Sequence, residues 1–136
     1  MSRLPRWLGA FGPALLYMLL IWALSSFPIQ LDFSRVPLRD KGVHFVEYGT
    51  LSVLLTHALS ITAPQRRAIL TWGAAVVITL VWGATDEIHQ AFVPGRFSDV
   101  GDLIADGCGA VAGSLAYLLV RRGRERHAAR TLPTRP

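Results

Sequence analysis

Residues 7–27 read WLGAFGPALLYMLLIWALSSF, a stretch of 21 residues without a charged side chain. A helix of about 20 apolar residues spans the hydrocarbon core of a bilayer, so this stretch has the length of a membrane span. Arg3 and Arg6 precede it, as they would in a secretory signal, but the apolar core of a signal is usually about 7–15 residues long. We therefore interpret residues 7–27 as the first of several membrane helices.

Three further apolar blocks follow at about 42–61, 68–85 and 101–120. The chain of 136 residues is 51% hydrophobic and only 17% charged, which is unlike a soluble domain. Four spans of about 20 residues leave no room for a separate soluble domain. The sequence predicts an all-α fold, a single bundle of four transmembrane helices over 1–120. Residues 121–136 are predicted to form a basic, partly disordered tail.

The basic residues indicate how this bundle is oriented. Ten of the fourteen lie at the amino terminus, in the turn at 62–67 and in the tail, whereas the other two loops hold four: Arg35, Arg39, Lys41 and Arg96. Lys and Arg are enriched in cytoplasmic loops, so both termini are predicted to be cytoplasmic. Because the basic residues flank apolar blocks, we interpret them as topology signals rather than as a nucleic-acid site, and no nucleic-acid partner is predicted.

The acidic residues concentrate on the opposite, external side. Eight of the nine are predicted there: Asp32, Asp40, Glu47, Asp86, Glu87, Asp99, Asp102 and Asp106. Residues three and four apart share one face of a helix, which groups the polar side chains in three stripes: His44, Glu47 and Tyr48; Asp86, His89 and Gln90; Asp99, Asp102 and Asp106. The stripes predict a recessed polar pocket that opens outward, although interhelical hydrogen bonds and ion pairs that hold the bundle together are the alternative.

A turn signal, Pro94-Gly95, follows the third helix and directs Arg96 back toward the acids. The favoured role for Arg96 is an ion pair with Asp86 or Asp99. The alternative is that its planar guanidinium holds a phosphate or carboxylate group of a ligand.

Metal ligation has little support in the sequence. The side chains of suitable type are His44, Glu47, Asp86, His89, Asp102 and Asp106. However, the paired histidines of an HExxH motif and any Cys or His cluster with zinc spacing are missing from the sequence. We therefore predict neither a metal nor another cofactor.

Two segments around this predicted pocket resemble the VanZ-like family of bacterial membrane proteins. They read Asp40-Lys41-x-x-His44-Phe45-x-x-Tyr48-x-x-Leu51, and Asp86-Glu87-x-x-Gln90-x-Phe92-x-Pro94-Gly95-Arg96 followed by Asp99-x-x-Asp102-x-x-x-Asp106-x-x-Gly109. By this resemblance the positions carried over as binding residues are Asp40, Lys41, His44, Tyr48, Asp86, Glu87, Gln90, Pro94, Gly95, Arg96 and Asp102. The family usually has Asn where this chain has Asp106, so a hydrogen bond donated there would require a protonated Asp106.

The resemblance implies a small, multi-pass protein of the bacterial inner membrane, linked in some members to lowered sensitivity to lipoglycopeptide antibiotics such as teicoplanin. It implies no settled reaction. A shared fold does not by itself transfer a function.

Three hypotheses on function remain open. The favoured one is a protein whose external pocket binds a membrane lipid or a lipid-linked envelope ligand. The second is an enzyme acting on a lipid or envelope phosphate or acyl group, with His44, Glu47 or Asp106 as general base and Arg96 or Lys41 stabilising charge; Asp86 and Asp102 complete its candidate catalytic residues. The third is a proton or cation conductor, which the uncharged inner halves of the spans disfavour.

The fourth block contains Gly109 and Gly113, a GxxxG spacing at which two helix backbones can approach closely. Packing inside the bundle is the favoured interpretation, and a homo-oligomer through these two glycines is the alternative.

Overall fold

The computed structural model describes residues 5–27 and 39–131, except for the side chain of residue 39. It contains four helices, namely α1 (Arg6–Ser25), α2 (Arg39–Thr62), α3 (Ala68–Gln90) and α4 (Val100–Thr131). No residue within these two ranges lies in a strand. The predicted all-α class with four helices is therefore confirmed. Asp32 and Arg35, which belong to the first predicted external loop, lie outside the described residues.

Three of the helices, α1, α3 and α4, are long and apolar enough to cross a membrane. The chain is thus a multi-pass helical membrane protein. α2 has 24 residues, but it is not among the helices that meet this criterion. It packs against all three other helices, so its polar side chains have protein neighbours in place of lipid. That α2 also spans the membrane, and that both termini are cytoplasmic, stay predictions.

Small residues bring α2 and α4 together along their length. A Cβ built on Gly49 of α2 would lie 3.2 Å from the carbonyl oxygen of Gly109. A Cβ on Gly109 would collide with the carbonyl oxygen of Phe45, and one on Gly113 with that of Gly49. The two backbones can approach this closely only because these positions lack side chains.

The same contact bears on the first of the two interpretations of the GxxxG spacing. Gly109 and Gly113 face α2 of their own chain, so the favoured interpretation, packing inside the bundle, is what the structure has. The alternative, a homo-oligomer through these two glycines, stays a prediction.

Buried hydroxyl groups fasten α2 to α4 beyond the glycines. Ser52 Oγ donates a hydrogen bond of 2.8 Å to the carbonyl oxygen of Ala110, and Thr56 Oγ1 and Ser114 Oγ lie 2.8 Å apart. Hydrogen bonds between membrane helices contribute about 0.6–2 kcal/mol each. This pair of helices is therefore held by both close packing and polar contacts.

The structure extends two of the predicted helices. α3 continues from the predicted end at 85 to Gln90, so Asp86, Glu87 and Gln90 are positioned by helix rather than by loop. α4 continues 11 residues past the predicted end at 120, so residues 121–131 of the predicted basic, partly disordered tail are helical. Arg121 and Glu125 form an i,i+4 ion pair of 2.8 Å there, and the segment has no proline to end the helix.

Candidate functional site

The three predicted polar stripes converge at one end of the bundle. His44 Nδ1 lies 3.0 Å from Asp106 Oδ1, and His44 Nε2 lies 3.9 Å from Asp102 Oδ2. The phenol of Tyr48 donates a hydrogen bond of 3.2 Å to Asp86. Side chains of α2, α3 and α4 thus meet in a single polar region, as the spacing predicted; what this region binds stays a prediction.

Asp86 is the most fully bonded acid of the region, with 2% of its surface exposed. Ser25 Oγ donates to its Oδ1 at 2.5 Å, and Gln90 Nε2 donates to its Oδ2 at 2.9 Å. With the Tyr48 phenol this makes three donors around one carboxylate. These donors satisfy a buried carboxylate that would otherwise lack partners.

Sequence reasoning missed the contribution of α1 to this region. Ser25 bonds Asp86, and the neighbouring Ser26 Oγ lies 2.9 Å from His89 Nε2. The His89 ring also stacks on Trp22, with ring centroids 4.0 Å apart, so His89 faces α1 and is not grouped with His44. The sequence did contain a signal for this contribution, the pair Ser25-Ser26. Two hydroxyls at the end of an otherwise apolar span need polar partners.

Lys41 joins α2 to the start of α4. Its Nζ lies 2.6 Å from Asp99 Oδ2 and 3.0 Å from Asp102 Oδ1. The Lys41 ammonium, assisted by the Gly101 N–H, lowers the pKa of the exposed Asp99 carboxyl below its ordinary value. Lys41 is therefore occupied by protein carboxylates, which leaves it less free to stabilise charge on a ligand.

Arg96 does not form the predicted ion pair with Asp86 or Asp99. Its Nε donates to the carbonyl oxygen of Phe27 at 3.2 Å, and its Nη2 to that of Leu24 at 3.0 Å. The last carbonyls of a helix have no partner within the helix and carry partial negative charge, so the end of α1 attracts a guanidinium. The predicted turn is present, with Gly95 at φ 82°, but it delivers Arg96 to α1.

A cavity of about 170 Å³ opens between α1, α2 and α3, and we call it the α1–α3 cavity. Its polar lining consists of Ser25, Asp40, His44, Glu47, Asp86, Gln90 and Arg96, and its apolar lining of Ile21, Leu24 and Val43. Five of the predicted binding residues line this cavity, together with Glu47, which was predicted only as a catalytic candidate. Lys41, Glu87, Asp102 and Asp106 do not, and Tyr48 reaches it only through its bond to Asp86.

Glu47 and Val43 of the α1–α3 cavity also line a shallower groove between α1 and α2, with Tyr17, Gly42 and Val46. Val43 and Val46 have 52% and 65% of their surface exposed. The cavity therefore adjoins an apolar surface on the side of the bundle. A polar recess beside an apolar groove suits an amphiphile better than a fully water-soluble molecule.

Glu87, Asp102 and Asp106 lie on the other side of His44, between α2, α3 and α4. Glu87 Oε2 accepts a hydrogen bond of 2.9 Å from the Asp99 N–H. One ligand atom each of His44, Glu87 and Asp102 lies within 4.8 Å of the other two. These residues are the ones that could hold a metal ion, and Glu87 is a member that the sequence analysis did not count among the metal-ligand types.

The structure has four packed helices, of which three are able to span a bilayer, and its acids gather at one end of the bundle. These features define a class of small multi-pass helical membrane proteins with a polar site inside the bundle. Residues 8–121 match the family model described as VanZ/LLP1. The chain belongs to this family, which confirms the resemblance found in the sequence. No curated protein and no solved structure matches it.

Proposed function

We propose that this VanZ/LLP1 protein resides in the bacterial inner membrane and binds the headgroup of a membrane lipid or lipid-linked envelope ligand in its α1–α3 cavity. The observation that carries the proposal is the joined polar cavity and apolar groove, which share Val43 and Glu47. A headgroup would occupy the cavity while its chain lies along the groove. Positive-inside topology favours the outer leaflet as the source of this lipid.

The size and charge of the cavity narrow the class of ligand. Whole drug-sized ligands occupy pockets of about 300–1,000 Å³, so about 170 Å³ suits a single headgroup or sugar. Asp40, Glu47 and Asp86 oppose one guanidinium, Arg96, in the lining. This excess of acceptors favours a headgroup rich in amine or hydroxyl donors, with a phosphate placed toward the remaining N–H groups of Arg96.

The experiment is native mass spectrometry of the protein released from membranes in lipid nanodiscs, with identification of the bound lipids. Glu47→Gln should reduce the occupancy of the bound lipid at least tenfold, because Glu47 lines both the cavity and the groove. Glu125→Gln, which removes an exposed carboxyl at the far end of α4, is the matched control and should leave occupancy unchanged. Equal lipid retention by both variants and the wild type would refute the proposal.

The family resemblance extends the proposal to lipoglycopeptide sensitivity. A protein that holds an outer-leaflet ligand can change how much of it reaches a membrane-anchored antibiotic. Expression of the chain in a susceptible strain should then raise the inhibitory concentration of teicoplanin, and Glu47→Gln should abolish that rise at equal protein level. An unchanged inhibitory concentration with the wild-type chain would separate lipid binding from resistance.

An acid/base enzyme is the second candidate, and the His44–Asp106 contact of 3.0 Å favours it. A buried carboxylate that holds one nitrogen of an imidazole orients the other for proton transfer. Incubation of the purified protein with bacterial lipid extract, followed by analysis of released phosphate and free acyl chains, tests this candidate. Turnover lost on His44→Gln would support it, and unchanged lipid would contradict it.

A further inference from the structure

We propose that His44, Glu87 and Asp102, here called the triad, bind a divalent transition-metal ion of the Zn²⁺ or Mn²⁺ class. One potential ligand atom from each residue lies within 4.8 Å of the other two. The three residues come from α2, α3 and α4, so an ion would join three helices at one point. The triad lies on the opposite side of His44 from the α1–α3 cavity, so this proposal does not depend on the proposed function.

The orientation of the His44 ring is the first argument. Its Nδ1 is held at 3.0 Å by Asp106 Oδ1, and Asp106 has no exposed surface. A histidine that binds a metal through one nitrogen usually donates the N–H of the other to a carboxylate or carbonyl, which fixes the ring and its tautomer. With the proton on Nδ1, the lone pair of Nε2 is directed toward the side of Asp102, 3.9 Å away.

Two buried oxygens without partners are the second argument, and it is independent of the spacing. Glu87 is only 6% exposed, yet its Oε1 has no hydrogen-bond donor among the described residues. Asp106 Oδ2 is equally buried and equally without a donor in the described part of the chain. Buried carboxylate oxygens are costly when nothing donates to them, and a cation beside Glu87 removes that cost.

The local charge also favours a cation. Glu87, Asp102 and Asp106 carry three carboxyl groups, and Lys41 is the ammonium that contacts them, at 3.0 Å from Asp102 Oδ1. Lys41 is shared with the further carboxylate of Asp99. Because Lys41 occupies Oδ1, Oδ2 of Asp102 stays available on the side of His44. A dication in the triad would neutralise charge that one lysine does not.

The donor set indicates which ions fit. One imidazole nitrogen and two carboxylates suit Zn²⁺ and Mn²⁺, whereas Ca²⁺ and Mg²⁺ prefer oxygen ligands throughout. Three protein ligands leave at least one position for water or a ligand oxygen. An ion on Nε2 would also prevent His44 from acting as a general base, so the triad and the acid/base candidate make opposite demands on one nitrogen.

The first test is the metal content of the protein purified in lipid nanodiscs with a tag that lacks histidine. We expect inductively coupled plasma mass spectrometry to find about one Zn or Mn ion per chain. After removal of metal with a chelator, Zn²⁺ or Mn²⁺ should raise the unfolding temperature more than Mg²⁺ or Ca²⁺ at the same concentration. A protein that is purified without metal and shows no response to Zn²⁺ or Mn²⁺ would overturn the proposal.

Variants then locate the ion. His44→Gln, Glu87→Gln and Asp102→Asn should each weaken metal affinity by at least about 10–100-fold. Asp106→Asn keeps all three ligands and should weaken affinity by about 10–100-fold through the orientation of His44 alone. Glu125→Gln, which removes an exposed carboxyl at the far end of α4, is the control and should leave affinity unchanged. If His44→Gln or Asp102→Asn does not fold, Glu87→Gln and Asp106→Asn still decide the question.

The outcomes separate this proposal from the proposed function. If chelation removes the ion while the bound lipid remains, both stand as independent sites. If the Glu87→Gln and Asp106→Asn variants bind the metal with wild-type affinity, the proposed metal site at the triad is refuted, whatever the α1–α3 cavity binds. Loss of lipid binding on Glu47→Gln with intact metal content would leave the triad untouched.

Discussion

Replacing Gly109 by alanine should destabilise the bundle, because the α2–α4 contact has no room for a side chain. The new Cβ would collide with the carbonyl oxygen of Phe45 and lie 2.9 Å from its carbonyl carbon, where ordinary contact begins at 3.4 Å. Because the carbonyl oxygen lies closer still, the helices would have to separate by about 1 Å. Overpacking of this kind costs about 1–3 kcal/mol, and the upper end applies because the obstructing atoms are backbone. Alanine returns about 1 kcal/mol of helix propensity, so we expect a net loss of about 2 kcal/mol.

The free energy of unfolding by SDS titration in mixed micelles measures this loss. Gly73→Ala is the matched control, since Gly73 also lies inside a helix but has nothing within 4 Å of the added Cβ. That variant should be as stable as the wild type or up to about 1 kcal/mol more stable. The same separation would lengthen the His44–Asp106 contact from its 3.0 Å. If Gly109→Ala is no less stable than Gly73→Ala, the close contact between α2 and α4 described above is refuted.

Three further predictions concern polar contacts. Ser25→Ala removes the 2.5 Å donor to Asp86 and should lower the free energy of unfolding by about 1–3 kcal/mol, whereas Ser25→Thr should retain most of it. Arg96→Lys replaces the planar fork that bonds the Leu24 and Phe27 carbonyls with a compact ammonium, and a protease-sensitivity assay should show faster cleavage at the end of α1 than in the wild type. Because the pKa of Asp99 is lowered from its ordinary 3.8, its contact with Lys41 stabilises the fold above that pH and is lost as the pH falls through the lower folded value. Unfolding temperatures measured from pH 6 to pH 2.5 should therefore fall less for Asp99→Asn than for the wild type.

Most of the fold was predictable because helix periodicity and span length are local properties of the sequence. Residues 7–27 have one interpretation at bilayer length, and α1 covers Arg6–Ser25 of it. The convergence of His44 with Asp102 followed from the same geometry, since side chains three and four residues apart share a face and neighbouring spans are antiparallel. Neither step needed information on which helices touch.

The partners of individual side chains could not be predicted, because they depend on how the helices are rotated against one another. Arg96 had acids close to it in sequence, yet it bonds the end of α1, whose free carbonyls are invisible in the amino-acid pattern. Ser25 has only Ser26 as a polar neighbour in sequence, yet it bonds Asp86 across 61 positions of the chain. The length of α4 was underestimated for another reason: the loss of apolar residues after 120 marks the edge of a membrane, not the end of a helix.

The continuous α4 offers a practical handle for imaging. A chain of 14.9 kDa is a very small particle for electron microscopy, and flexible attachments to it blur on averaging. The helix runs 11 residues past the predicted span, which at 1.5 Å per residue is about 16 Å. A soluble protein fused to the last turn of α4 would lie outside the detergent belt. The continuous helix would hold it in a fixed orientation relative to the bundle. Such a chimera would supply the mass for alignment while leaving the polar end of the bundle, on the opposite side, unaltered.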